Sequence, residues 1–276
     1  MASLPLVKSP QEVRNPRRLV MIGVPKSGKT TALAKLENNC ILDCESGSVY
    51  LEALRVKVQG IRAPKEAPER KEKRNEAGVF YLDEFEKLVI EYRKQNNGQY
   101  PYKYITLDTV TEFEKWLYRE ATLLFMDTVK GKKFNRDEKS GQLLPENEQN
   151  GVIEEYGANG YQWLRDAWEL WIGKLSKLAP HLILVGHVRD KNLDKADTKL
   201  VLKEIDLTGK IANMLVKDAD ASCFVSRKNN KVTLNFKASD IIVGARPVHL
   251  RDKEIVISEL KPDGTIETFW NEIYID

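Results

Sequence analysis

The segment with the clearest chemistry in this 276-residue chain is 23–30, which reads Gly-Val-Pro-Lys-Ser-Gly-Lys-Thr. The spacing G-x-x-x-x-G-K-[ST] is typical of a phosphate-binding loop, in which backbone N–H groups and a helix N-terminus converge on phosphate oxygens. Gly23 and Gly28 permit the backbone to approach the ligand without a clashing Cβ. The predicted nucleotide contacts are Gly23, Val24, Pro25, Lys26, Ser27, Gly28, Lys29, Thr30 and Thr31. The segment therefore predicts binding of a nucleoside triphosphate.

Three side chains are predicted to act on the phosphates and their metal ion. We expect Lys29 to reach the β- and γ-phosphates and the Thr30 hydroxyl to ligate Mg²⁺. Asp108 ends the apolar run 104–108 and is predicted to hold Mg²⁺ through water, because α/β sheets place ligand groups at the C-terminal ends of strands. The alternative for Asp108 is a capping role for the following helix.

Glu45 and His187 are the candidates for the hydrolytic step. Asp43 and Glu45 lie two residues apart at the end of a predicted strand, so both can face a shared site. Glu45 is predicted to orient or deprotonate the attacking water as a general base, and the alternative is a solvated loop residue. His187 follows the apolar run 182–186, where it can sense the γ-phosphate; the alternative is a structural histidine.

The elements that position these residues alternate between strand and helix. Short apolar runs predict buried strands, and apolar residues at helical spacing predict helices. The predicted strands are 19–22, 40–43, 104–108 and 182–186, and the predicted helices are 30–36, 80–94, 111–126 and 161–178. The last third, 221–276, is rich in short β runs at 221–226, 231–236, 241–243 and 254–258. This order predicts a three-layer α/β fold with a mostly parallel core sheet and a C-terminal antiparallel extension.

Three further segments are less regular. Residues 1–18 form a basic lead-in to a single domain that spans 19–276. The charged stretch 55–77 is predicted to be a mobile surface excursion with a short strand at 56–58 as an alternative. Residues 128–160 are polar and without periodicity, and are therefore predicted to form a long loop insertion.

Composition limits the class of protein. Charged residues at 31% and hydrophobic residues at 42% fit a soluble globular protein, and the net charge of +3 is too small to establish a polyanionic partner. No apolar run approaches the roughly 18 residues that span a bilayer, and 1–18 lacks the apolar core of a signal peptide, so we expect a cytoplasmic protein. Cys40, Cys44 and Cys223 fit neither a disulfide framework nor a zinc site, and we interpret Cys40 and Cys44 as small buried hydrophobes.

In sequence order, these motifs resemble those of the RecA-like recombinase and motor ATPases. The chain carries a phosphate loop, Asp-x-Glu after the second strand, a strand that ends in Asp-Thr, and a strand that ends in a polar residue. In RecA the glutamate of Asp-x-Glu is the catalytic base, which is Glu45 here, and the sensor is usually glutamine, where this chain has His187. The resemblance implies a RecA-like three-layer P-loop NTPase fold and Mg-dependent ATP hydrolysis.

Within that superfamily the chain looks most like compact phage-encoded RecA-like ATPases of single-strand annealing and recombination. The motifs that carry this resemblance are Tyr156-Gly157-x-x-Gly160-Tyr161, 181–187, 218–221 and 269–274, and it spans residues 18 to 276. It implies action on single-stranded DNA, a homo-oligomer in a ring or filament, and the host cytoplasm. It also raises a single-strand-binding protein as a partner.

The resemblance further implies which loops line the DNA path, namely 128–160 and 188–210. Basic residues there can pair with DNA phosphates while an aromatic ring stacks on a base. The candidates are Lys130, Lys132, Lys133, Phe134, Arg136 and Lys139 in the first loop and Arg189, Lys191, Lys195 and Lys199 in the second. Acidic residues are interleaved in both loops, so a solvated charged loop is the alternative for each.

Related ATPases usually hydrolyse at a subunit interface, where a neighbour donates a cation to the γ-phosphate. The candidates for that cation are Arg227, Lys228, Lys231 and Arg246, and a structural role in a constrained turn is the alternative for Arg246. Two other functions stay open at this point. A small-molecule or nucleotide kinase shares the phosphate loop, and an ATP-gated adaptor would load a partner such as a single-strand-binding protein or a helicase.

Overall fold

The protein is built on one eleven-stranded sheet whose core is parallel. The computed structural model describes residues 13–195, 198–237 and 243–275, without the side chains of 191–195 and 198–202. The parallel strands, in spatial order, are β4 (Val79–Phe80), β3 (Arg55–Val58), β2 (Asn39–Asp43), β5 (Tyr104–Asp108), β6 (His181–Gly186), β1 (Arg18–Gly23) and β9 (Ala221–Lys228). The phosphate-loop strand β1 is therefore separated from β5, the strand of Asp108, by β6.

Antiparallel strands continue the sheet beyond β9. They are β10 (Lys231–Asn235), β12 (Glu254–Leu260) and β13 (Ile266–Thr268), while the short β11 (Gly244–Ala245) pairs with the other half of β9. A separate two-stranded hairpin consists of β7 (Val188–Lys195) and β8 (Thr198–Ile205). The helices are α1 (Lys29–Ala34), α2 (Pro68–Glu76), α3 (Leu82–Gln95), α4 (Val110–Met126), α5 (Val152–Tyr156), α6 (Tyr161–Leu175) and α7 (Ile211–Asp218).

Side chains of β1 alternate between two apolar clusters, one on each face of the sheet. Val20 packs in the cluster that contains Phe113 of α4, whereas Met21 packs in the cluster that contains Leu33 of α1 and Trp270. Successive strand residues point to opposite faces, so a continuous apolar run such as this one requires a layer of cover on both sides. The predicted three-layer α/β fold with a parallel core and an antiparallel C-terminal extension is confirmed.

The charged stretch 55–77 is more ordered than predicted. The alternative strand is present as β3, and α2 follows it with Pro68 at its start. Arg74 anchors this helix, because its guanidinium donates hydrogen bonds to Glu66 and, at 3.0 Å, to the buried Glu84 of α3. The segment contains a strand and a helix that the sequence analysis did not predict as its main interpretation, and α2 lies on the surface, as expected, since none of its residues is buried.

The two predicted DNA loops also contain regular structure. The segment 128–160 contains the short helix α5. The Val152 N–H at the start of α5 donates a hydrogen bond to the Thr122 hydroxyl of α4 at 3.1 Å. The segment 188–210 is largely the hairpin β7–β8 rather than a loop. None of the helices among the described residues could span a lipid bilayer. Cys40 and Cys223 are buried, and Cys44 is half-buried.

Candidate functional site

The phosphate loop joins β1 to α1, and both of its glycines are required by their surroundings. A Cβ on Gly23 would lie 2.7 Å from the Val225 carbonyl oxygen, and one on Gly28 would lie 2.7 Å from a methyl group of Val232. Gly28 also has a left-handed φ of 89° and is the N-cap of α1, where no side chain caps the helix. The N–H groups of the first turn are therefore left for a ligand, as phosphate binding requires.

Lys29 is folded over the loop that precedes it. Its ammonium donates to the carbonyl oxygens of Gly23 at 2.9 Å and Val24 at 2.8 Å and to the Ser27 hydroxyl at 3.3 Å. Burial lowers the pKa of Lys29, and the charges of Asp108 and Glu45 oppose that shift. Its hydrogen-bond acceptors in the described structure are neutral oxygens, so its charge is available to phosphate oxygens.

Thr30 and Asp108 meet at the C-terminal edge of the sheet. The Thr30 hydroxyl donates to an Asp108 carboxylate oxygen at 2.7 Å, and Asp108 is only 5% exposed. Burial, reinforced by the negative charges of Asp43 and Glu45, raises the pKa of Asp108 to about 6 against the pull of the Thr30 hydrogen bond. A hydroxyl beside a desolvated carboxylate fits hydrated Mg²⁺, which prefers oxygen ligands and keeps several waters.

The protein alone offers few ligands for a metal ion. Among the described residues, no group of three or more His, Cys, Asp or Glu side chains could hold a metal ion. Mg²⁺ is usually bound by one or two protein oxygens together with substrate phosphates, and the Thr30–Asp108 pair fits that pattern. Asp108 does not cap the helix that follows it. Thr109 is the N-cap of α4, and its hydroxyl accepts a hydrogen bond from Glu112 N–H at 3.3 Å.

Glu45 lies across the cavity in contact with two other side chains. The Thr109 hydroxyl donates to its carboxylate at 2.5 Å, and Nε2 of His187 lies 3.4 Å from that carboxylate. The contact with His187 has the largest effect and lowers the pKa of Glu45. The Thr109 hydrogen bond lowers it further, and burial opposes both. Glu45 is thus an ionised carboxylate held in a fixed position, and the solvated-loop alternative does not describe it.

Asp43 has a different role from Glu45. Its carboxylate accepts backbone N–H groups of Glu45 at 3.1 Å, Gly47 at 3.1 Å and Ser48 at 2.9 Å. Both acids line the same cavity, as expected, and Asp43 in addition uses its oxygens to hold the loop that presents Glu45. The other imidazole nitrogen of His187, Nδ1, is buried without a hydrogen-bond partner among the described residues, so the description as a satisfied structural histidine does not fit it.

These groups line one open cavity of about 510 Å³. It brings the predicted Lys29, Glu45, Asp108 and His187 together with most of the phosphate loop. Three lining residues were missed as parts of the same chain's site, Gly47, Thr109 and Arg227. Thr109 carries a sequence signal, since T-x-x-E at 109–112 is a helix-start pattern. The complete lining is Pro25, Lys26, Ser27, Gly28, Lys29, Thr30, Thr31, Asp43, Glu45, Gly47, Asp108, Thr109, His187 and Arg227.

The four cations predicted to act on a neighbouring subunit differ in their surroundings. Arg227 lines the cavity of its own chain, which places it in cis to this site. Arg246 lies 3.6 Å from an Asp220 carboxylate oxygen and donates to the Lys217 carbonyl oxygen at 2.9 Å, so it has the structural role that was the alternative for it. Lys231 is paired with Glu259 at 3.6 Å, and Lys228 is exposed.

Several DNA candidates are engaged within the protein. The ring of Phe134 packs edge-on against Phe125 at 5.3 Å between centroids, and it also contacts Tyr156. The ring is half-buried by this packing, and stacking of Phe134 on a base stays a prediction. Arg136 donates to the carbonyl oxygens of Lys132 at 2.9 Å and Gly141 at 3.0 Å, which closes its own loop.

The hairpin candidates are affected in a similar way. Arg189 donates to the buried Glu204 at 2.9 Å, so its charge is paired within the hairpin, and its contact with DNA stays a prediction. The side chains of Lys191, Lys195 and Lys199 lie outside the described part of the structure. In contrast, Lys130, Lys132, Lys133 and Lys139 are exposed.

We expect that Asp108→Asn stabilises the metal-free protein at pH 7. The folded-state pKa of about 6 lies above the ordinary 3.8, so ionised Asp108 costs stability that is fully felt above pH 6 and absent below the unfolded pKa. The cost is about 3 kcal/mol at pH 7, and the amide oxygen of asparagine can still accept from Thr30. Thermal unfolding in EDTA should show a midpoint several degrees higher at about pH 7.5, with the gain shrinking toward about pH 4.

The matched control for this variant is Asp190→Asn, at an exposed aspartate on the hairpin. It should leave the unfolding midpoint unchanged at both pH values. An Asp108→Asn protein that is no more stable than wild type at about pH 7.5 would contradict a desolvated carboxylate at this position. The same variant should lose Mg²⁺-supported turnover, because a neutral amide replaces the charged ligand.

Comparison with known proteins adds two findings. A family model described as an AAA domain matches residues 15–246 of this chain. The crystal structure of the RadB recombinase is similar to it, with 14% sequence identity, a TM-score of 0.38 and 92% of each chain covered. No curated relative matches the sequence.

Proposed function

We propose that this chain, which belongs to the AAA domain family, is an Mg²⁺-dependent ATPase of the RecA-like class that acts on single-stranded DNA. The observation that carries the proposal is Glu45, an ionised carboxylate held by Thr109 and His187 on the wall of the phosphate-loop cavity. Binding alone needs only the loop, whereas hydrolysis also needs a group that activates water.

Each residue of the cavity then has a separate task. Lys29 places a positive charge against the β- and γ-phosphates, where negative charge develops. Thr30 and Asp108 would hold Mg²⁺, which neutralises phosphate charge when bound. Glu45 accepts the proton of the attacking water, and its lowered pKa keeps it ready to do so at neutral pH.

The position of Glu45 favours water over an organic acceptor. Four neighbouring strands lie in the order β1, β6, β5 and β2. Glu45 follows β2, so it faces the phosphate loop, which follows β1, from the other side of the cavity. A kinase needs that space for its phosphate acceptor. Here the space is bounded by a carboxylate whose contacts with Thr109 and His187 hold it in place, which supports hydrolysis.

A coupling of the nucleotide to DNA is supported by the hairpin β7–β8. The hairpin begins one residue after His187, and the N–H of Asp206, just past its other end, donates to the His187 carbonyl oxygen at 2.8 Å. That hydrogen bond joins both ends of the hairpin at the residue that faces Glu45. Thr208, which follows the hairpin, donates from its N–H and hydroxyl to the buried Glu114 of α4. A change at His187 when the γ-phosphate leaves would therefore act directly on the base of the hairpin.

Exposed lysines of the insertion supply a second region for DNA. Lys130, Lys132 and Lys133 follow α4, whose N-cap Thr109 contacts Glu45. Because α4 is 17 residues long, its C-terminal end, which precedes the three lysines, lies about 25 Å from that N-cap. We place the backbone contacts of single-stranded DNA on these lysines and on the hairpin, in the recombination or annealing role that the motif resemblance suggests.

The proposal includes a homo-oligomer, because large apolar side chains are exposed in the chain segments that contain cavity-lining residues. Val24 of the phosphate loop is exposed, and Tyr50, three residues after the cavity-lining Gly47, is 94% exposed. Exposed apolar residues grouped at a functional site are typical of interaction surfaces. A second copy of the chain would cover them and bring its own cations toward the γ-phosphate, and a single-strand-binding protein is a further proposed partner.

The experiment that tests this function compares ATP hydrolysis and single-stranded DNA binding in two forms of the protein. One is wild type and the other carries Lys130→Gln, Lys132→Gln and Lys133→Gln. We expect DNA to stimulate wild-type turnover. The triple variant should bind DNA more weakly and reduce the slope of log affinity against log salt by about 2, because each phosphate contact on a single strand contributes about 0.7.

A matched control keeps the same change of charge at three other exposed lysines, Lys94→Gln, Lys217→Gln and Lys253→Gln. The control should keep the wild-type salt slope. A slope that is identical in all three proteins would move the DNA contacts away from the insertion. Turnover that is indifferent to DNA would contradict the DNA-stimulated ATPase, and very slow hydrolysis with a tight protein complex would instead favour an ATP-gated adaptor.

A further inference from the structure

One buried acid of α4 contacts the end of the hairpin β7–β8 rather than the nucleotide cavity. Glu114 is 7% exposed, and its carboxylate accepts the Thr208 N–H at 3.0 Å and the Thr208 hydroxyl at 2.9 Å. The Tyr118 hydroxyl, one turn further along the helix, lies 3.0 Å from the same Thr208 hydroxyl. Burial raises the pKa of Glu114, and the hydrogen bonds from Thr208 oppose that shift. An apolar side chain would fill this position at lower cost, so the contact with Thr208 indicates a role beyond packing.

The same face of α4 also contacts the two ends of the hairpin itself. Thr111, Glu114 and Tyr118 are spaced three and four residues apart, so they lie on one side of the helix. The Thr111 hydroxyl accepts from the His187 N–H at 3.5 Å and donates to the Asp206 carbonyl oxygen at 3.4 Å. Of these two partners, one precedes β7 and the other follows β8. This face of α4 therefore contacts the hairpin at its start, at its end and just beyond it.

The N-terminal end of the same helix contacts the proposed catalytic base. Thr109, the N-cap of α4, donates to the Glu45 carboxylate at 2.5 Å. Glu114 follows this N-cap within the first two turns of the helix, about 8 Å further along its axis. A helix moves as one rigid element over so short a span. A displacement of α4 at Glu114 therefore also displaces Thr109, and with it Glu45.

We propose that Glu114 is a positioning residue that couples the hairpin β7–β8 to Glu45 through α4. This inference rests on the proposed function and names the contact by which single-stranded DNA regulates hydrolysis at the same site. When DNA binds and moves the hairpin, Thr208 moves with it, and its hydrogen bonds to Glu114 pass the displacement to α4. The helix then repositions Thr109 and Glu45.

The contact at Glu114 differs from the contact at His187. The His187 imidazole lies 3.4 Å from the Glu45 carboxylate and belongs to the cavity itself, whereas Glu114 lies outside the cavity lining. Loss of the Glu114 contact would leave His187 beside Glu45, because their contact does not involve α4. We therefore expect hydrolysis without DNA to continue and its response to DNA to be lost.

The test measures affinity for a single-stranded oligonucleotide with and without a non-hydrolysable ATP analogue and Mg²⁺. By linkage, nucleotide and DNA change each other's affinity by the same factor. We expect the analogue to change the wild-type affinity for DNA about tenfold, and Glu114→Met, which has no acceptor oxygen, to reduce this change to less than about twofold. Glu114→Gln keeps a carbonyl oxygen for the Thr208 N–H and should retain most of the change. Turnover without DNA should stay within about twofold of wild type in both variants.

Glu120→Met is the matched control, because Glu120 is also a buried acid of α4 but pairs with Arg62 instead of the hairpin segment. It should lower the unfolding midpoint and leave the effect of the analogue on DNA affinity unchanged. Thr208→Val and Thr208→Ser test the same contact from the other side. Valine has the shape of threonine without the hydroxyl and should weaken the coupling, whereas serine keeps the hydroxyl and should preserve it.

The outcomes separate this inference from the proposed function. If Glu114→Met is folded and keeps the wild-type effect of the analogue, or if Glu120→Met loses that effect equally, the inference is overturned. If Glu114→Met does not fold, the Thr208 variants decide, and equal coupling in Thr208→Val and Thr208→Ser overturns it. If wild-type DNA affinity is independent of nucleotide and turnover is independent of DNA, the proposed function itself is wrong and this inference falls with it.

Discussion

Replacing Lys29 with methionine is expected to lower turnover of ATP by at least about 100-fold and to remove most of its binding. The methionine side chain keeps the length and apolar stem of lysine but has no charge to place against the β- and γ-phosphates. Loss of one preorganised group that stabilises developing charge costs about two to three orders of magnitude in rate. The alanine variant should show at least the same loss, because it also removes the stem.

The fold should tolerate the loss of this charge. Burial lowers the pKa of Lys29, which means that the charged ammonium is less stable in the folded protein than in water. Removing the charge ends that cost but also removes the hydrogen bonds to the carbonyl oxygens of Gly23 and Val24. These effects oppose each other, so the unfolding midpoint of the nucleotide-free Lys29→Met protein should stay within a few degrees of wild type.

The measurement is an ATP-binding titration and a steady-state hydrolysis assay, with thermal unfolding recorded with and without Mg-ATP. Lys35→Met is the matched control, because Lys35 is exposed at the C-cap of α1 and lies outside the cavity lining. It should keep wild-type binding and turnover. Unchanged turnover in Lys29→Met would refute the central assignment of this cavity to a nucleoside triphosphate.

The parts of the site that are contiguous in sequence are the parts that could be predicted. Eight consecutive residues define the phosphate loop by their spacing, and the left-handed φ of Gly28 is a local requirement for glycine. Asp108 and His187 could be found because each ends an apolar run, and the ends of parallel strands meet at one edge of a sheet. The core sheet itself followed from the same runs, which is why the fold class was predicted correctly.

Features that depend on pairing between distant residues could not be predicted in this way. Phe134 lies in a basic segment, and only the tertiary structure shows that its ring packs against Phe125. Arg189 likewise has the sequence context of a DNA contact, and only the tertiary structure shows that Glu204 on the paired strand β8 forms an ion pair with it. Arg227 lines the cavity of its own chain because β9 pairs directly with β1. The sequence pattern does not predict which strands become neighbours.

Replacing Glu45 with glutamine is expected to separate binding of ATP from its hydrolysis. Turnover should fall by about 10² to 10⁴, the contribution of a positioned general base, while ATP affinity stays within about threefold of wild type. Glutamine has the shape of glutamate and can still accept from the Thr109 hydroxyl, so the loop that Asp43 holds should keep its conformation. Only the proton-accepting charge is removed.

The lowered pKa of Glu45 determines how this variant should behave with pH. Wild-type Glu45 loses its charge only below the ordinary carboxyl range, because His187 and Thr109 favour the ionised form. The base is therefore fully ionised at neutral pH, and the rate deficit of Glu45→Gln should be constant between about pH 6.5 and about pH 8. A deficit that disappears at one end of this range would indicate that another group accepts the proton.

Glu37→Gln is the matched control for the same chemical change, since Glu37 is exposed and lies outside the nucleotide cavity. Single-turnover hydrolysis and ATP binding are measured for both variants and for wild type. The single-turnover assay isolates the chemical step from product release. Wild-type rates in Glu45→Gln would show that the catalytic base lies elsewhere, whereas loss of ATP binding would show that Glu45 holds the cavity together. Because Lys29→Met removes binding and Glu45→Gln spares it, the two variants together distinguish a hydrolytic site from a site that only binds nucleotide.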